Sequence, residues 1–245
     1  MIAVDGREAI WQDVECGGYA ADLSLWTDLA REAAGPVLEL GAGTGRVALH
    51  LAGEGFEVTA LERSPQLLDA LRERAGSRGL PLRTVHADTR EFRLDARFGL
   101  ICAPMQLVHL LGGSGGRASM LSSIAAHLHP GGRAAIALLA QPELSAAEDP
   151  LPLPDVAERD GWVYSSQPVE VIQVSGALEV RRLRQLVSPT GELGEEIDTV
   201  RLDDLDAAEL EAEALEAGLV ASERLSVPAT DDHVGSDVCV FVARR

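Results

Sequence analysis

The apolar residues of this chain follow two patterns in its first 140 positions. Short runs rich in apolar residues lie at 37–40, 56–62, 82–87, 98–103 and 134–139. Between these runs, apolar residues recur at the spacing of amphipathic helices that cover a sheet. Runs of the first kind are typical of strands buried on both faces, so an α/β domain with five central strands is predicted.

A different pattern begins after residue 160. Apolar and polar residues alternate, with many β-branched side chains, over stretches at 162–174, 177–187 and 195–202. Glycine-containing turns separate these stretches, and the combination predicts a small antiparallel β meander. Residues 141–160 are rich in proline, alanine and acidic side chains, and they are predicted to link the two regions.

The chain returns to the first pattern after the meander. A helix is predicted over 205–217, followed by strands at 219–227 and 238–243 that form an antiparallel pair. The predicted division gives one domain to residues 1–140 and 204–245 and an antiparallel β insert to residues 141–203.

Gly41, Gly43 and Gly45 stand between the first predicted strand and the helix that follows it. Because they lack a Cβ, such residues let a ligand approach the backbone N–H groups of the turn, and the helix N-terminus favours an anionic group. A dinucleotide-binding turn also needs glycine at the sixth position, which here is Arg46. Glu39, two positions before the first glycine, adds an acidic side chain to this turn.

The resulting pattern, Glu-x-Gly-x-Gly-x-Gly, resembles motif I of class I S-adenosylmethionine-dependent methyltransferases. The step Leu-x-Pro-Gly-Gly at 128–132, which ends a helix before an apolar strand, also resembles that family. The resemblance covers residues 19–140 and 204–245. It implies a Rossmann-like, seven-stranded sheet in the order 3-2-1-4-5-7-6 with an antiparallel last strand, S-adenosylmethionine as cofactor, and a small-molecule acceptor. The insert then lies where small-molecule methyltransferases carry a substrate lid.

The resemblance also assigns roles to acidic residues at the strand ends. Glu39 is expected near the methionine end of the cofactor, Glu62 at the ribose hydroxyls and Asp88 at the adenine amino group. Glu62 suits the ribose of NAD equally well, and Asp88 has turn capping as its alternative role. The predicted cofactor contacts are Tyr19, Glu39, Gly41, Ala42, Gly43, Gly45, Arg46, Glu62, Arg63, Asp88, Thr89, Ala103, Pro104 and Met105.

The end of the fourth strand is where the family places the methyl group and its acceptor. Gln106 and His109 are the polar side chains that follow this strand, and both are predicted to face the acceptor. His109 and Tyr19 are the candidate catalytic residues, with a packing role as the alternative for each. His127 and His129 are predicted to be surface residues, and no metal-binding spacing is found.

Composition narrows the expected partners. All 21 basic residues are arginine and the net charge is −18, which disfavours nucleic acid and excludes lysine Schiff-base chemistry. The three cysteines are widely spaced and fit no zinc or disulfide framework. No apolar run approaches the ~20 residues of a membrane helix. The chain is therefore expected to act in the cytoplasm on a small molecule, without a nucleic-acid or membrane partner, and a homodimer formed through the insert is a further expectation.

Methyl transfer from S-adenosylmethionine to an amine or hydroxyl of a small molecule, in specialised metabolism, is the leading hypothesis for function. An NAD-dependent oxidoreductase is the alternative enzyme, disfavoured by Arg46 and by the antiparallel last strand. The third hypothesis is a protein of the same fold that binds S-adenosylmethionine without turnover.

Overall fold

The chain divides into two compact units. The structure, a computed structural model, describes Val4 and residues 7–139, 153–230 and 233–244. The larger unit comprises Ala20–Pro142 and Leu205–Arg245, and the smaller unit comprises Met1–Tyr19 and Glu143–Asp204.

The elements alternate between strand and helix in the first half and are mostly strands in the second. The strands are β1 (Val37–Leu40), β2 (Val58–Glu62), β3 (Leu82–His86), β4 (Phe98–Ala103), β5 (Leu128–Leu139), β6 (Asp155–Arg159), β7 (Trp162–Val174), β8 (Ala177–Val187), β9 (Leu193–Asp203), β10 (Leu219–Val227) and β11 (Ser236–Ala243). The helices are α1 (Glu8–Cys16), α2 (Leu23–Glu32), α3 (Arg46–Gly53), α4 (Pro65–Ser77), α5 (Ser114–His127) and α6 (Ala207–Glu216), with a short 3-10 helix at Leu107–Leu110.

The larger unit is built on a seven-stranded sheet in the order β10-β11-β5-β4-β1-β2-β3. Strands β1 to β5 are parallel, whereas β11 is antiparallel to both β5 and β10. With the last two strands counted as sixth and seventh, this is the order 3-2-1-4-5-7-6, so the prediction is confirmed. Because the first strands are parallel, the carboxyl ends of β1, β2, β3 and β4 lie along one edge of the sheet.

Strand β5 begins earlier than predicted. It starts at Leu128, which pairs with Phe98, and the register then shifts so that Leu100 pairs with Arg133. The His-Pro-Gly-Gly step is thus accommodated as an irregularity within the strand instead of ending the helix as a separate loop.

Both faces of this sheet are buried. Along β4, Ile101 belongs to an apolar cluster with Phe241, whereas its neighbour Leu100 belongs to a cluster with Trp26 and Leu51 on the opposite face. A strand covered on both faces has to be apolar at every position, which explains the continuous run seen in the sequence.

His127 corrects one prediction, because it is buried at the end of α5 and not on the surface. Its Nδ1–H donates to the carbonyl oxygen of Ser123 at 2.7 Å, and its Nε2 accepts from the backbone N–H of Leu94 at 2.9 Å. The ring also lies 4.8 Å from that of Phe92. The imidazole therefore connects α5 to the segment before β4.

The smaller unit contains a four-stranded antiparallel sheet in the order β6-β7-β8-β9. The bounds of β7 and β8 match the predicted stretches, and β9 begins two residues earlier than predicted, at Leu193. The additional strand β6 falls in the segment predicted as a linker, where Pro154 directly precedes a run of only five residues. The part of that linker at 140–152 lies outside the described residues.

Helix α1 packs on this second sheet, which differs from the assignment of residues 1–140 to the first domain. The rings of Trp11 and Tyr164 meet edge to face at 5.3 Å, and the guanidinium of Arg7 lies 4.6 Å from the ring centre of Trp162. Such long-range contacts group the first 19 residues with the second sheet. No helix in the described ranges is long and apolar enough to cross a membrane.

Candidate functional site

The turn between β1 and α3 is held in a shape that requires glycine. Gly41, Gly43 and Gly45 have φ values of +64°, +56° and +99°, in the left-handed region that other residues rarely adopt. A Cβ at Gly41 would lie 2.8 Å from Cδ1 of Leu107, and a Cβ at Gly45 would lie 2.2 Å from Cδ1 of Leu71. The first and last glycines are therefore needed for packing as well as for backbone shape.

Glu62 connects the end of β2 to this turn. One carboxylate oxygen accepts from the backbone N–H of Gly43 at 2.9 Å, and the other accepts from the N–H groups of Arg63 and Ser64 at 2.8 and 2.9 Å. The side chain is buried, yet two carboxylate oxygens offer about four acceptor sites in all. The residue predicted to bind a ribose thus also fixes the glycine turn.

Glu39 is a buried carboxyl whose bonding within the described residues is incomplete. It lies in β1 at 3% exposure, and its Oε2 has no hydrogen-bond partner there. Burial raises the pKa of Glu39 to about 8, against the opposing effects of Arg46 and the backbone N–H of Ala48. A buried polar atom without a partner is costly, so this carboxyl suits a ligand that brings a cation or a donor.

Arg46 contacts a side chain that was not predicted. Its two terminal nitrogens donate to the carboxylate of Asp22 at 2.5 and 2.7 Å, and the indole N–H of Trp26 donates to the same carboxylate at 2.7 Å. The four-residue spacing of Asp22 and Trp26 is a helical signal from which this pair could have been found, but nothing local in the sequence indicates Arg46 as a further partner.

Asp88 is paired within its own turn after β3. Its carboxylate accepts from the Arg90 guanidinium at 2.6 Å and from the backbone N–H of Arg90 at 2.9 Å. The Arg90 bond lowers the pKa of Asp88 to about 2. The turn-capping alternative is thus present in the structure, and Thr89 beside it is buried. Arg63 is exposed, and its carbonyl oxygen accepts from the His86 ring at 2.9 Å.

The loop after β4 lies against the glycine turn. Ala103 and Pro104 are buried, and Met105 adopts φ +55°, a strained value for a residue with a Cβ. Two residues later, the side chain of Leu107 fills the space beside Gly41. The strand-end loop and the turn therefore depend on each other for their shape.

His109 binds the backbone, while Gln106 is half-buried at the start of the 3-10 helix. The Nε2 of His109 accepts from the N–H of Leu139 at 3.1 Å, just beyond the last pairing of β4 with β5 at Ala103 and Ile136. The imidazole thus supplies an acceptor where the neighbouring strand has ended, which favours the packing alternative over a role as general base.

Tyr19, the remaining predicted contact, is buried in the smaller unit, where its N–H donates to the carbonyl oxygen of Cys16 at 3.3 Å. Ala42 is buried within the glycine turn, and its N–H donates to the carbonyl oxygen of Leu61 at 3.0 Å. Among the residues that the structure describes, no three His, Cys, Asp or Glu side chains are placed to hold a metal ion.

These groups define the kind of ligand that fits. A buried carboxyl, a carboxylate at the next strand end and a turn with glycine at three of its five positions lie at the carboxyl edge of a parallel sheet, where open α/β folds bind ligands. They suit a ligand with a cationic group and a neighbouring diol.

Comparison with known proteins agrees with this description. Residues 37–132 match a family model described as a methyltransferase domain. The match runs from β1 to the start of β5, and it includes the glycine turn with Glu39, Glu62 and Asp88.

The relatives of known activity match only part of the chain. The dTDP-3-amino-3,4,6-trideoxy-alpha-D-glucopyranose N,N-dimethyltransferase of Streptomyces venezuelae is 33% identical over 147 residues, which are 58% of this chain and 59% of that protein. The chain spans between 46% and 59% of the length of the curated relatives that it matches.

Solved structures match the chain over nearly its whole length. A sugar N-methyltransferase from Streptoalloteichus sp has a TM-score of 0.77 at 20% identity, covering 96% of this chain and 92% of that one. An amino pentose methyltransferase from Micromonospora echinaspora, solved with S-adenosylmethionine bound, has a TM-score of 0.72 at 21% identity, covering 98% of each chain. These likenesses confirm the predicted fold, a Rossmann-like methyltransferase sheet accompanied by a small antiparallel sheet.

Proposed function

Residues 37–132 match a methyltransferase domain, and we propose that the chain is a class I S-adenosylmethionine-dependent methyltransferase that methylates an amine of a small molecule. The observation that carries the proposal is the buried carboxyl of Glu39, whose Oε2 lacks a hydrogen-bond partner among the described residues and which precedes a turn with three glycines at positive φ. This arrangement suits the amino-acid end of the cofactor, which carries an ammonium group.

The residues that would hold the cofactor follow the strand ends. Glu39 would receive the ammonium group, and Glu62, which retains acceptor capacity, would receive the ribose hydroxyls. Asp88 and Thr89 would face the adenine, with the exposed side chain of Arg63 beside it. The backbone of 41–45 would pass beneath the ribose and the amino-acid part, and 103–105 would lie near the methyl group.

The chain's own contribution is orientation and exclusion of water. When bound, S-adenosylmethionine supplies a methyl group that its sulfonium has already activated for transfer. The residues around it have to align the acceptor lone pair, and good alignment can lower a barrier by roughly 7–11 kcal/mol. Met105 at φ +55° and the adjoining loop, in which Leu107 packs beside Gly41, would form one side of the site for that purpose.

An amine is favoured over a hydroxyl as methyl acceptor because neither of the two side chains predicted to face it is placed to act as a base. The Nε2 of His109 is occupied by the Leu139 N–H, and Gln106 has no proton-accepting group at neutral pH. A hydroxyl acceptor needs a base, whereas an amine that arrives unprotonated does not. Two of the similar proteins support the same choice, since one is named as an N,N-dimethyltransferase of an amino sugar nucleotide and the other as a sugar N-methyltransferase.

We further propose that the smaller unit recognises the acceptor and pairs two protomers. It follows β5, as a substrate lid does in small-molecule methyltransferases, and its edge strand β9 exposes the apolar side chains of Leu193 and Ile197 by 47% and 55%. Light scattering of the purified chain measures the pairing. We place the activity in the cytoplasm, where the buried thiols of Cys102 and Cys239 would stay reduced.

Calorimetry tests the cofactor half of the proposal. S-adenosylmethionine and S-adenosylhomocysteine should bind, with NAD and NADP far weaker; stronger NAD binding would restore the oxidoreductase hypothesis. Incubation with S-adenosylmethionine and a panel of nucleotide-linked amino sugars should add 14 Da per methyl group, as read by mass spectrometry. Cofactor binding without transfer to any amine or hydroxyl would favour the non-catalytic hypothesis.

A further inference from the structure

Asp22 occupies the N-cap position of α2 without acting as a cap. Its carboxylate makes no bond to the N–H groups of the first helical turn, although aspartate is a preferred residue at this position. The side chain is instead buried, at 3% exposure for the residue as a whole. The carboxylate oxygens of Asp22 therefore accept hydrogen bonds from other groups.

The main partner of Asp22 is the guanidinium of Arg46. Asp22 accepts two hydrogen bonds from the guanidinium of Arg46, at 2.5 and 2.7 Å, and a third from the indole N–H of Trp26 at 2.7 Å. The two ion-pair partners are 13% and 4% exposed at their side chains, so water screens the pair little. Bidentate pairing also fixes the direction in which the Arg46 side chain points.

The same cation lies within electrostatic reach of Glu39. The charged and titratable groups that act on Glu39 are Arg46 from α3, Asp22 before α2, Glu62 from β2 and Cys102 from β4. Arg46 lowers the pKa of Glu39, whereas Asp22 and Glu62 raise it. Arg46 is thus the one cation in this set, and Asp22 already engages both of its terminal nitrogens.

We propose that Asp22 is a positioning residue of the cofactor site, which holds Arg46 in a buried ion pair so that Arg46 does not pair directly with Glu39 and the Glu39 carboxyl is left to the ligand's ammonium group. This proposal rests on the proposed function for the identity of that ligand. On binding, the ammonium group enters and the Glu39 carboxyl releases its proton to solvent. A ligand without the ammonium group leaves Glu39 protonated and gains nothing from it.

The direction of the pH effect follows from the Glu39 pKa of about 8. Below that pH the carboxyl has to lose its proton when the ligand binds. Affinity should therefore rise by up to tenfold for each unit of pH increase and level off near pH 8. At pH 7 close to one proton should be released per ligand bound. Calorimetry with S-adenosylhomocysteine, which keeps the amino-acid end, in two buffers of different ionisation enthalpy measures that release.

The decisive variant is Asp22→Asn. Arg46 then loses its carboxylate partner and is expected to pair with Glu39, so proton release should fall towards zero and affinity at pH 8 should fall at least tenfold. Adding Arg46→Leu removes the competing cation, and the double variant should regain the wild-type proton release. Trp26→Phe is the matched control, because it deletes the indole N–H and leaves the ion pair.

A purely structural role of Asp22 would give different results. Unchanged proton release in Asp22→Asn, or a double variant that does not regain it, overturns the proposal. If Asp22→Asn does not fold, Arg46→Lys decides, since it keeps the charge and loses the bidentate geometry. It should move the pH midpoint of binding downward, and an unmoved midpoint contradicts the proposal.

Failure of the proposed function is distinguishable from failure of this inference. If wild-type protein binds no S-adenosylhomocysteine at any pH, the cofactor assignment is wrong. Thermal unfolding of the ligand-free protein still tests Asp22: the wild type should lose stability as pH rises from 4.5 to about 8, where Glu39 ionises only at a cost. Asp22→Asn should flatten that slope, and an equal slope in both proteins refutes the role of Asp22.

Discussion

The backbone N–H of Gly43 donates a 2.9 Å hydrogen bond to Oε2 of Glu62. Through this bond the glycine turn after β1 and the carboxyl end of β2 share a single buried acceptor. The side chain predicted to hold a ribose therefore also holds the backbone on which the cofactor would rest, so binding and stability are coupled at Glu62.

We expect Glu62→Ala to affect both properties. The substitution leaves three N–H groups without their acceptor, those of Gly43, Arg63 and Ser64, which should cost roughly 2–4 kcal/mol of unfolding free energy. S-adenosylhomocysteine should bind at least tenfold more weakly, a change of ~1.4 kcal/mol. Calorimetry and urea unfolding measure the two effects.

The matched control for this experiment is Glu57→Gln, at an exposed position just before the other end of β2. It should leave affinity and stability near those of the wild type. Cofactor affinity unchanged in Glu62→Ala would show that the ribose lies elsewhere.

The parts of this fold that could be predicted are those with a local signature. Strand β4 was predicted because burial on both faces gives a continuous apolar run. Strands β7 and β8 were predicted because burial on one face gives alternation of apolar and polar residues. The glycine turn was predicted for the same reason, since its positive φ values demand glycine.

Contacts between distant segments left no such signature. The bond of Arg184 to Glu15, which helps to hold α1 on the second sheet, joins residues 169 positions apart. The Asp22 and Arg46 pair spans 24 positions across two helices. Neither pairing changes the hydrophobic period, so the position of α1 and the engagement of Arg46 could not be predicted from it.

The glycines of the turn should differ in their tolerance of alanine. At Gly45 a Cβ would lie 2.2 Å from Leu71, and the backbone is also in the left-handed region. Gly45→Ala should therefore lower the free energy of unfolding by roughly 2–5 kcal/mol. At Gly43, where φ is +56°, the left-handed backbone should cost an alanine about 1–2 kcal/mol. Urea denaturation measures both changes, from the shift of the midpoint when the dependence of the unfolding free energy on urea concentration is the same in each variant.

Gly76→Ala in α4 is the control, since a Cβ there has open space and helical backbone. It should be neutral or stabilising by up to ~1 kcal/mol. Equal destabilisation of Gly43→Ala and Gly45→Ala would argue that Leu71 moves aside easily.

Glu39→Gln should stabilise the ligand-free protein at high pH. The pKa of Glu39 is about 8 in the folded protein against 4.5 for a glutamate in water. Its stabilising contribution is therefore complete below pH 4.5 and is lost as pH rises to 8, by at most about 1.4 kcal/mol per pH unit. The melting temperature of Glu39→Gln relative to wild type should accordingly rise between pH 5 and pH 8.

Asp88→Asn serves as the control of opposite sign. Because Arg90 lowers the pKa of Asp88 to about 2, its contribution is present above pH 4 and is lost only as the pH falls through 2. This side chain is partly exposed, so the effect should be small. A wild-type protein whose stability does not change relative to Glu39→Gln from pH 5 to pH 8 would contradict the assignment of Glu39 as a neutral buried acid.

His109 should be replaceable by a side chain that also accepts a hydrogen bond. His109→Gln can offer its carbonyl oxygen to the Leu139 N–H, whereas His109→Ala leaves that N–H without its 3.1 Å partner. We expect transfer to survive in the glutamine variant with an unchanged pH profile, and to fall together with melting temperature in the alanine variant. A glutamine variant that folds and binds cofactor but loses transfer would identify His109 as a base.

The last prediction concerns the smaller unit. Its apolar cluster of Val4, Trp11, Tyr164 and Leu186 has no residue in common with the two clusters of the larger unit. The larger unit also contains the whole seven-stranded sheet and the strand-end acids. Removing the insert alone would leave α1 without the sheet on which it packs, so residues 1–17 should be removed together with 145–202, which a short Gly-Ser linker replaces.

The truncated chain should bind S-adenosylhomocysteine within a few-fold of wild type and lose transfer to the acceptor, because the smaller unit would recognise that acceptor. Retained transfer would exclude the smaller unit from acceptor binding, and loss of cofactor binding would assign it to the cofactor site.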